Sequence, residues 1–313
     1  MDSNKVLKTG INTKSKLIEK NILKKRVTTY LAFVYGFVLL GWFLVTILPS
    51  PLNNSAYVML ISVFSLLPVL SCFLTRLITK DKSPWMIRPN FISNWRIYLM
   101  SAFIPGTLIF LGAVLFFLIF PNQLDVTATK LIEVYGKFGV PTDLPHTINS
   151  IITIGVVGIF ISPFIVPVVI IALGEEVGWR GYLLPIFLKL MSKQRAVLLN
   201  GVLWGLCHAP LIYFGFNYGL NYWFAPYAGI LMMILVCTVL GVWLSYVTIK
   251  SNSVIPASIL HGSANVIGEW PVLVTIPGIS TLWGPNPTGF IGMVGLLLGA
   301  VIILRVFLKK LTN

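Results

Sequence analysis

Long apolar runs constrain the fold of this chain more than any other feature of its sequence. The run from Ser150 to Leu173 contains no charged residue and is long enough to cross a bilayer, which takes about 20 apolar residues in a helix. In lipid a spanning segment must pair all its backbone polar groups internally, and barrel strands would show alternation instead of continuous runs. The sequence therefore predicts an all-α fold, a polytopic membrane helix bundle. The eight predicted transmembrane helices cover residues 28–49, 55–76, 97–120, 150–173, 196–216, 226–248, 254–268 and 288–308.

Composition and charge support this fold class and exclude others. Hydrophobic residues make up 57% of the chain and charged residues only 10%, whereas a soluble domain is nearer a quarter charged. The net charge of +14 could suggest a nucleic-acid partner. Its distribution indicates otherwise, because the lysines and arginines cluster between the apolar runs, where they act as topology signals and contact the lipid surface. We therefore expect the lipid bilayer as a partner and no nucleic acid.

The basic residues also predict an orientation. With eight spans, 21 of the 23 lysines and arginines fall on one side of the membrane. By the positive-inside rule that side is the cytoplasm, so both termini are predicted to be cytoplasmic. The remaining two, Lys130 and Lys137, lie in the third loop, on the opposite side.

Glu175 and Glu176 are adjacent acids that follow directly after a predicted span. A charged side chain at membrane depth costs roughly 2.5–3.5 kcal/mol by insertion scales, so such residues usually have a function. Arg180 lies four residues after Glu176, a helical spacing for pairing, and helical neighbours point about 100° apart. This favours Glu176 as the partner of Arg180 and Glu175 as the free, reactive acid. The alternative is that the two acids lie at the membrane interface and only mark a loop. Residues 174–195 are expected to form a short helix at that interface.

Two histidines lie in later apolar runs. His208 follows Trp204 by one helical turn, and Pro210 is expected to bend that helix. His261 and Asn265 are spaced i, i+4, so they share a helix face and could form an oxyanion hole or position a water. The alternative for each is a polar contact between packed membrane helices. Glu269, one turn further on, is expected to cap its helix or contact water.

These residues resemble the motifs of a known family, the CAAX-protease and bacteriocin-processing (Abi) membrane proteins, which include the prenyl-protein endoprotease of eukaryotes. The family is marked by EExxxR, FxxxH and HxxxN on successive membrane segments, and the resemblance covers about residues 150–270. Tryptophan replaces the usual phenylalanine in the second motif, an aromatic exchange that alters the shape of the pocket. The matching positions are Glu175-Glu176-x-x-x-Arg180, Trp204-x-x-x-His208 and His261-x-x-x-Asn265.

The resemblance implies an intramembrane endopeptidase. Glu175 would activate a water that His208 helps to hold, and His261 with Asn265 would stabilise the oxyanion, while the Glu176–Arg180 pair would brace the site. The family is also described as metalloproteases. Glu175, His208 and His261 are the possible Zn²⁺ ligands if a metal is used, and the sequence leaves both mechanisms open.

Domain organisation, partners and alternatives follow from the same patterns. We expect a basic cytoplasmic tail (1–27), N-terminal transmembrane helices (28–149), a catalytic core like that of the family (150–270), and a C-terminal loop with the last transmembrane helix (271–313). The expected substrate is a peptide or a membrane protein, and the expected location is a bacterial plasma membrane. Peptide maturation, bacteriocin immunity and membrane-protein turnover are the candidate roles. The alternatives are a non-catalytic scaffold or bacteriocin-immunity protein, or an ion- or proton-binding transporter, although the two related halves typical of transporters are not evident.

Overall fold

The computed structural model describes residues 3–47, 54–136, 147–276 and 278–307. These residues form helices joined by turns and irregular loops, with one isolated bridge between Leu124 and Thr275, in agreement with the predicted all-α class. The helices are α1 (Ser3–Ile47), α2 (Asn54–Thr79), α3 (Phe91–Ile119), α4 (Thr129–Gly136), α5 (Ile148–Ile161), α6 (Val166–Glu176), α7 (Leu184–Leu190), α8 (Lys193–Cys207), α9 (Ala209–Tyr213), α10 (Tyr227–Ser251), α11 (Ile255–Leu273) and α12 (Val294–Ile302).

Four described helices are long and apolar enough to cross a membrane, and they lie in α1, α2, α3 and α10. A fifth span results if the bent pair Ile148–Phe164 and Val166–Leu190 is counted as one. This is a multi-pass membrane fold, with fewer candidate spans among the described residues than the eight predicted. The other three predicted spans also contain helices, but α8 has only 15 residues and α12 only 9, and α11 carries several polar side chains.

The predicted span 150–173 is broken rather than continuous. A 3₁₀ turn at Ser162–Phe164 separates α5 from α6, and the two limbs meet at 59°. Pro163 and Pro167 each lie in the first turn of a new helical segment, where the missing N–H is tolerated. The second limb then continues to Leu190. The acid pair therefore lies inside this limb, and not where a span meets its loop.

The predicted interfacial helix at 174–195 is also wrong. Val177–Leu183 is a π-helical segment whose residues are all buried, with Trp179 at 0% and Tyr182 at 2% exposure. A side chain at Gly178 would place its Cβ 2.6 Å from the backbone of Pro68 in α2. The missing side chain lets the two helices touch, and small residues allow such close packing in membrane proteins. The apolar surface of the π-helical segment is thus covered by neighbouring helices, among them α2 and α1, whose Tyr30 ring contacts Trp179 and Tyr182.

Close packing of α11 on α6 completes the frame of the site. A Cβ at Gly262 would lie 3.0 Å from the Cα of Val169, so only glycine permits this approach. His261, the preceding residue, is thereby held against the limb that carries the acid pair. Helix α8, which leads to His208, packs mainly on α10.

Candidate active site

A cavity of about 400 Å³ lies among α1, α2, α6, α8, α10 and α11. Glu175, His208, His261 and Asn265 all line it. Glu176 and Arg180 are not among its lining residues, and each is 0% exposed. The structure therefore brings together the six residues selected from the sequence. Four of them line the cavity, and we call this set the cavity face: Glu175, His208, His261 and Asn265. Glu176 and Arg180 form a buried group behind it, which His261 also contacts.

The buried group is centred on Glu176, and we call Glu176, Arg180 and His261 the brace. Glu176 Oε1 accepts hydrogen bonds from Arg180 Nη1 at 3.0 Å and from His261 Nδ1 at 3.0 Å. The predicted i, i+4 pair is thus present, and it also joins the first motif to the third. Because the ion pair is removed from water, losing one partner would leave an uncompensated buried charge.

Trp204 connects the brace to the cavity face. Its indole Nε1 donates to Glu175 Oε2 at 2.7 Å, while the Arg180 guanidinium lies over its ring, with Cζ 4.3 Å from the centroid. The sequence interpretation treated Trp204 only as an aromatic residue of the motif. The available signal was the indole N–H, which in a buried tryptophan usually has a hydrogen-bond partner.

Both histidines use Nδ1 for internal hydrogen bonds. His208 Nδ1 lies 3.0 Å from the backbone carbonyl of Trp204, and His261 Nδ1 contacts Glu176 as described. Carbonyl and carboxylate oxygens only accept, so Nδ1 carries the hydrogen and Nε2 is the remaining nitrogen of each cavity-lining ring. His208 itself lies between α8 and α9, and Pro210 is in the first turn of α9, so the helix is interrupted at the position where the proline was expected to bend it.

Asn265 lies one turn beyond His261 on α11 and is exposed to the cavity. Within the described part of the chain, no hydrogen bond engages its side-chain amide. The amide is therefore free to donate to a bound group.

Two polar contacts were not anticipated from the sequence. Asn200, which is 0% exposed, donates its Nδ2 hydrogen to the carbonyl of Trp179 at 2.9 Å. This contact ties α8 to the π-helical segment beside the brace. The Cys237 thiol lies 3.9 Å from His208 Nδ1. Neither residue belongs to a recognisable motif, so only the packing of α8 on the π-helical segment and on α10 reveals them.

The donor groups do not fit a zinc centre. Among the described residues, no three His, Cys, Asp or Glu side chains are grouped so that they could hold a metal ion. Glu175, His208 and His261, the set named from the sequence, line one cavity but are not grouped as a set of metal ligands. We therefore derive no step through a metal.

Comparison with known proteins identifies one matching family. Residues 157–267 match the family model described as type II CAAX prenyl endopeptidase, Rce1-like. The matched segment is about a third of the chain and includes all three motifs. A comparison with curated proteins finds no match to the chain. The segment that carries the three motifs is therefore similar to the CAAX prenyl endopeptidases.

Proposed function

We propose that this protein is an intramembrane endopeptidase in which Glu175 activates the water that attacks the peptide bond. The family match supports a protease. The observation that carries the mechanism is the meeting of Glu175, His208, His261 and Asn265 at one cavity inside the helix bundle. A carboxylate beside an imidazole nitrogen is a suitable combination for general-base chemistry.

In the proposed first step, a water hydrogen-bonds to Glu175 and to His208 Nε2. Glu175 takes a proton from this water as its oxygen attacks the carbonyl carbon of the substrate, which gives a tetrahedral oxyanion. The Trp204 hydrogen bond fixes one oxygen of Glu175 and leaves the other for the water. Glu175 then transfers the proton to the leaving nitrogen, and the C–N bond breaks to release an amine and a carboxylic acid.

The oxyanion would be stabilised by Asn265 and His261. The Asn265 amide donates directly, and His261 in its protonated form donates through Nε2. Glu176, hydrogen-bonded to the other nitrogen of His261, balances the positive charge of that ring. Donors fixed in advance by the fold contribute most at such a position, because they need no reorganisation when charge develops.

The proposed substrate is a peptide or a membrane protein that reaches the cavity within a bacterial plasma membrane. The orientation, with both termini cytoplasmic, is part of the proposal and is supported by the distribution of basic residues. Lys193→Cys, near the start of α8, should react with a membrane-impermeant maleimide only from the cytoplasmic face. Labelling from the outer face of sealed cells would contradict this orientation.

The test of function is peptide cleavage by the purified protein in lipid nanodiscs. The probe is a set of quenched fluorescent peptides, apolar and prenylated. Glu175→Gln should lower kcat by about 10²–10⁴, the usual contribution of a general base, with no change in thermal unfolding. The matched control is Glu133→Gln, an exposed acid on α4 outside the cavity, which should behave as wild type.

A chelator arm accompanies the same assay. We expect chelation to leave the rate unchanged, since the donors at the cavity do not form a metal centre. Reversible loss of activity on chelation, with stoichiometric metal in the purified protein, would contradict the metal-free mechanism. Near-wild-type turnover by Glu175→Gln would remove Glu175 as the base.

A further inference from the structure

The cavity contains a second acid that the proposed mechanism does not use. Glu269 lies on α11, one turn beyond Asn265, and lines the cavity. Among the described residues, no hydrogen bond or ion pair engages its carboxylate. Glu269 is an exposed residue of the cavity lining, so a ligand in the cavity can reach its carboxylate, and an acid on a membrane helix is a candidate for function.

The electrostatics of the cavity favour a positively charged ligand. Among the described residues that line it, Glu175 and Glu269 are the acids. The only described lining residues that can carry a positive charge are His208 and His261, of which His261 is paired with Glu176. This contrasts with the chain as a whole, whose net charge is +14. A cleft lined by one sign of charge and enclosed by apolar walls concentrates ligands of the opposite sign.

The walls around Glu269 are held in place by two loops. Asn286 and Thr288 line the same cavity, and Pro287 between them lies close to Gly268, where a Cβ would be 3.1 Å from the proline ring. Tyr218 from the preceding loop donates its hydroxyl hydrogen to the Thr288 carbonyl at 2.8 Å. Thr281 in turn donates to the Tyr218 carbonyl at 2.9 Å. The Thr288 hydroxyl oxygen is buried and has no hydrogen-bond partner among the described residues. Glu269 is therefore part of a preformed polar end of the cavity.

We propose that Glu269 forms a subsite that binds an ammonium or guanidinium group of the substrate, and this rests on the proposed peptidase function. Glu269 follows His261 by eight positions, which corresponds to about 12 Å along the helix. An extended peptide advances about 3.3 Å per residue, so the cationic group lies roughly three to four residues from the scissile bond. The site thus selects peptides that carry a basic residue, or a free amino terminus, at that distance.

Peptide binding to the non-cleaving Glu175→Gln protein in nanodiscs tests the subsite. The probes are fluorescent apolar peptides blocked at both ends, with one lysine or one norleucine moved through every position. A third set carries norleucine with a free amino terminus and distinguishes the two sources of positive charge. Lysine should strengthen binding at a position matching the subsite by about tenfold or more, the effect of a hydrogen bond between charged groups.

Variants at the subsite make the assignment specific. Glu269→Gln in the same protein should abolish the lysine preference and leave norleucine peptides unaffected, while Glu269→Asp should keep it. Equal binding of lysine and norleucine peptides, a preference that survives Glu269→Gln, or no peptide binding at all would overturn the subsite. A Glu269-dependent preference in a protein whose wild type cleaves nothing would instead refute the peptidase proposal alone. Cleavage that depends on Glu175 but shows no Glu269 preference would refute only the subsite.

Discussion

The cavity face and the brace contain neighbouring glutamates in opposite environments. Glu175 is half-buried, lines the cavity and accepts one hydrogen bond from Trp204. Glu176 is 0% exposed and is bonded to Arg180 and His261. One residue of helical rotation, about 100°, is enough to separate an acid available for chemistry from an acid that serves as a structural anion. The pair is therefore better understood as two different groups than as two carboxylates that share one task.

Disrupting the brace should give the largest combined effect on folding and activity. Glu176→Gln leaves Arg180 buried without its counter-ion, and Arg180→Ala leaves the buried Glu176 carboxylate with His261 as its remaining partner. Each change should destabilise the protein by about 3–5 kcal/mol and should abolish cleavage. The measurements are thermal unfolding in detergent and peptide hydrolysis, compared with Glu175→Gln, which should lose activity alone.

A double variant separates the two roles of Glu176. Glu176→Gln combined with Arg180→Met removes both charges while keeping similar volumes, and such replacements are often neutral for stability. We expect unfolding to return close to wild type while activity stays low, since His261 has lost its carboxylate. Full recovery of activity in the double variant would show that the brace only supports folding.

The sequence predicted which residues meet, but not how they are arranged. Helical spacing within single segments gave the Glu176–Arg180 pair and the shared face of His261 and Asn265. The contacts of Trp204 with Glu175, and of His261 with Glu176, join residues 29 and 85 positions apart, so no local periodicity encodes them. The prediction of one continuous span over 150–173 was wrong for a different reason. A hydropathy average does not register Pro163 and Pro167, whose missing backbone N–H groups interrupt the helix. The acid pair follows this break and lies inside the bundle.

Asn265→Ala should have the next largest effect, and it acts on the cavity face alone. Loss of one oxyanion donor typically lowers the rate by about 10²–10³. Because the amide would act mainly in the transition state, kcat should fall while KM stays constant. The unfolding temperature should not change, since no described hydrogen bond engages this side chain. Asn94→Ala on α3, outside the cavity, is the control, and an unimpaired Asn265→Ala enzyme would exclude the oxyanion role.

Trp204→Phe should have the smallest effect and tests the link between the two regions. Phenylalanine keeps a ring beside Arg180 but cannot donate to Glu175, so the carboxylate loses one of its positional constraints. We expect kcat to fall about tenfold, within the range for a hydrogen bond to a charged group, with little change in stability. Trp243→Phe is the matched control, because Trp243 donates its indole hydrogen to the Leu296 carbonyl at 2.9 Å and does not line the cavity. That variant should lose stability and keep its kcat. Equal effects of the two variants on kcat would mean that Trp204 only fills space, and that the cavity face is positioned without the brace.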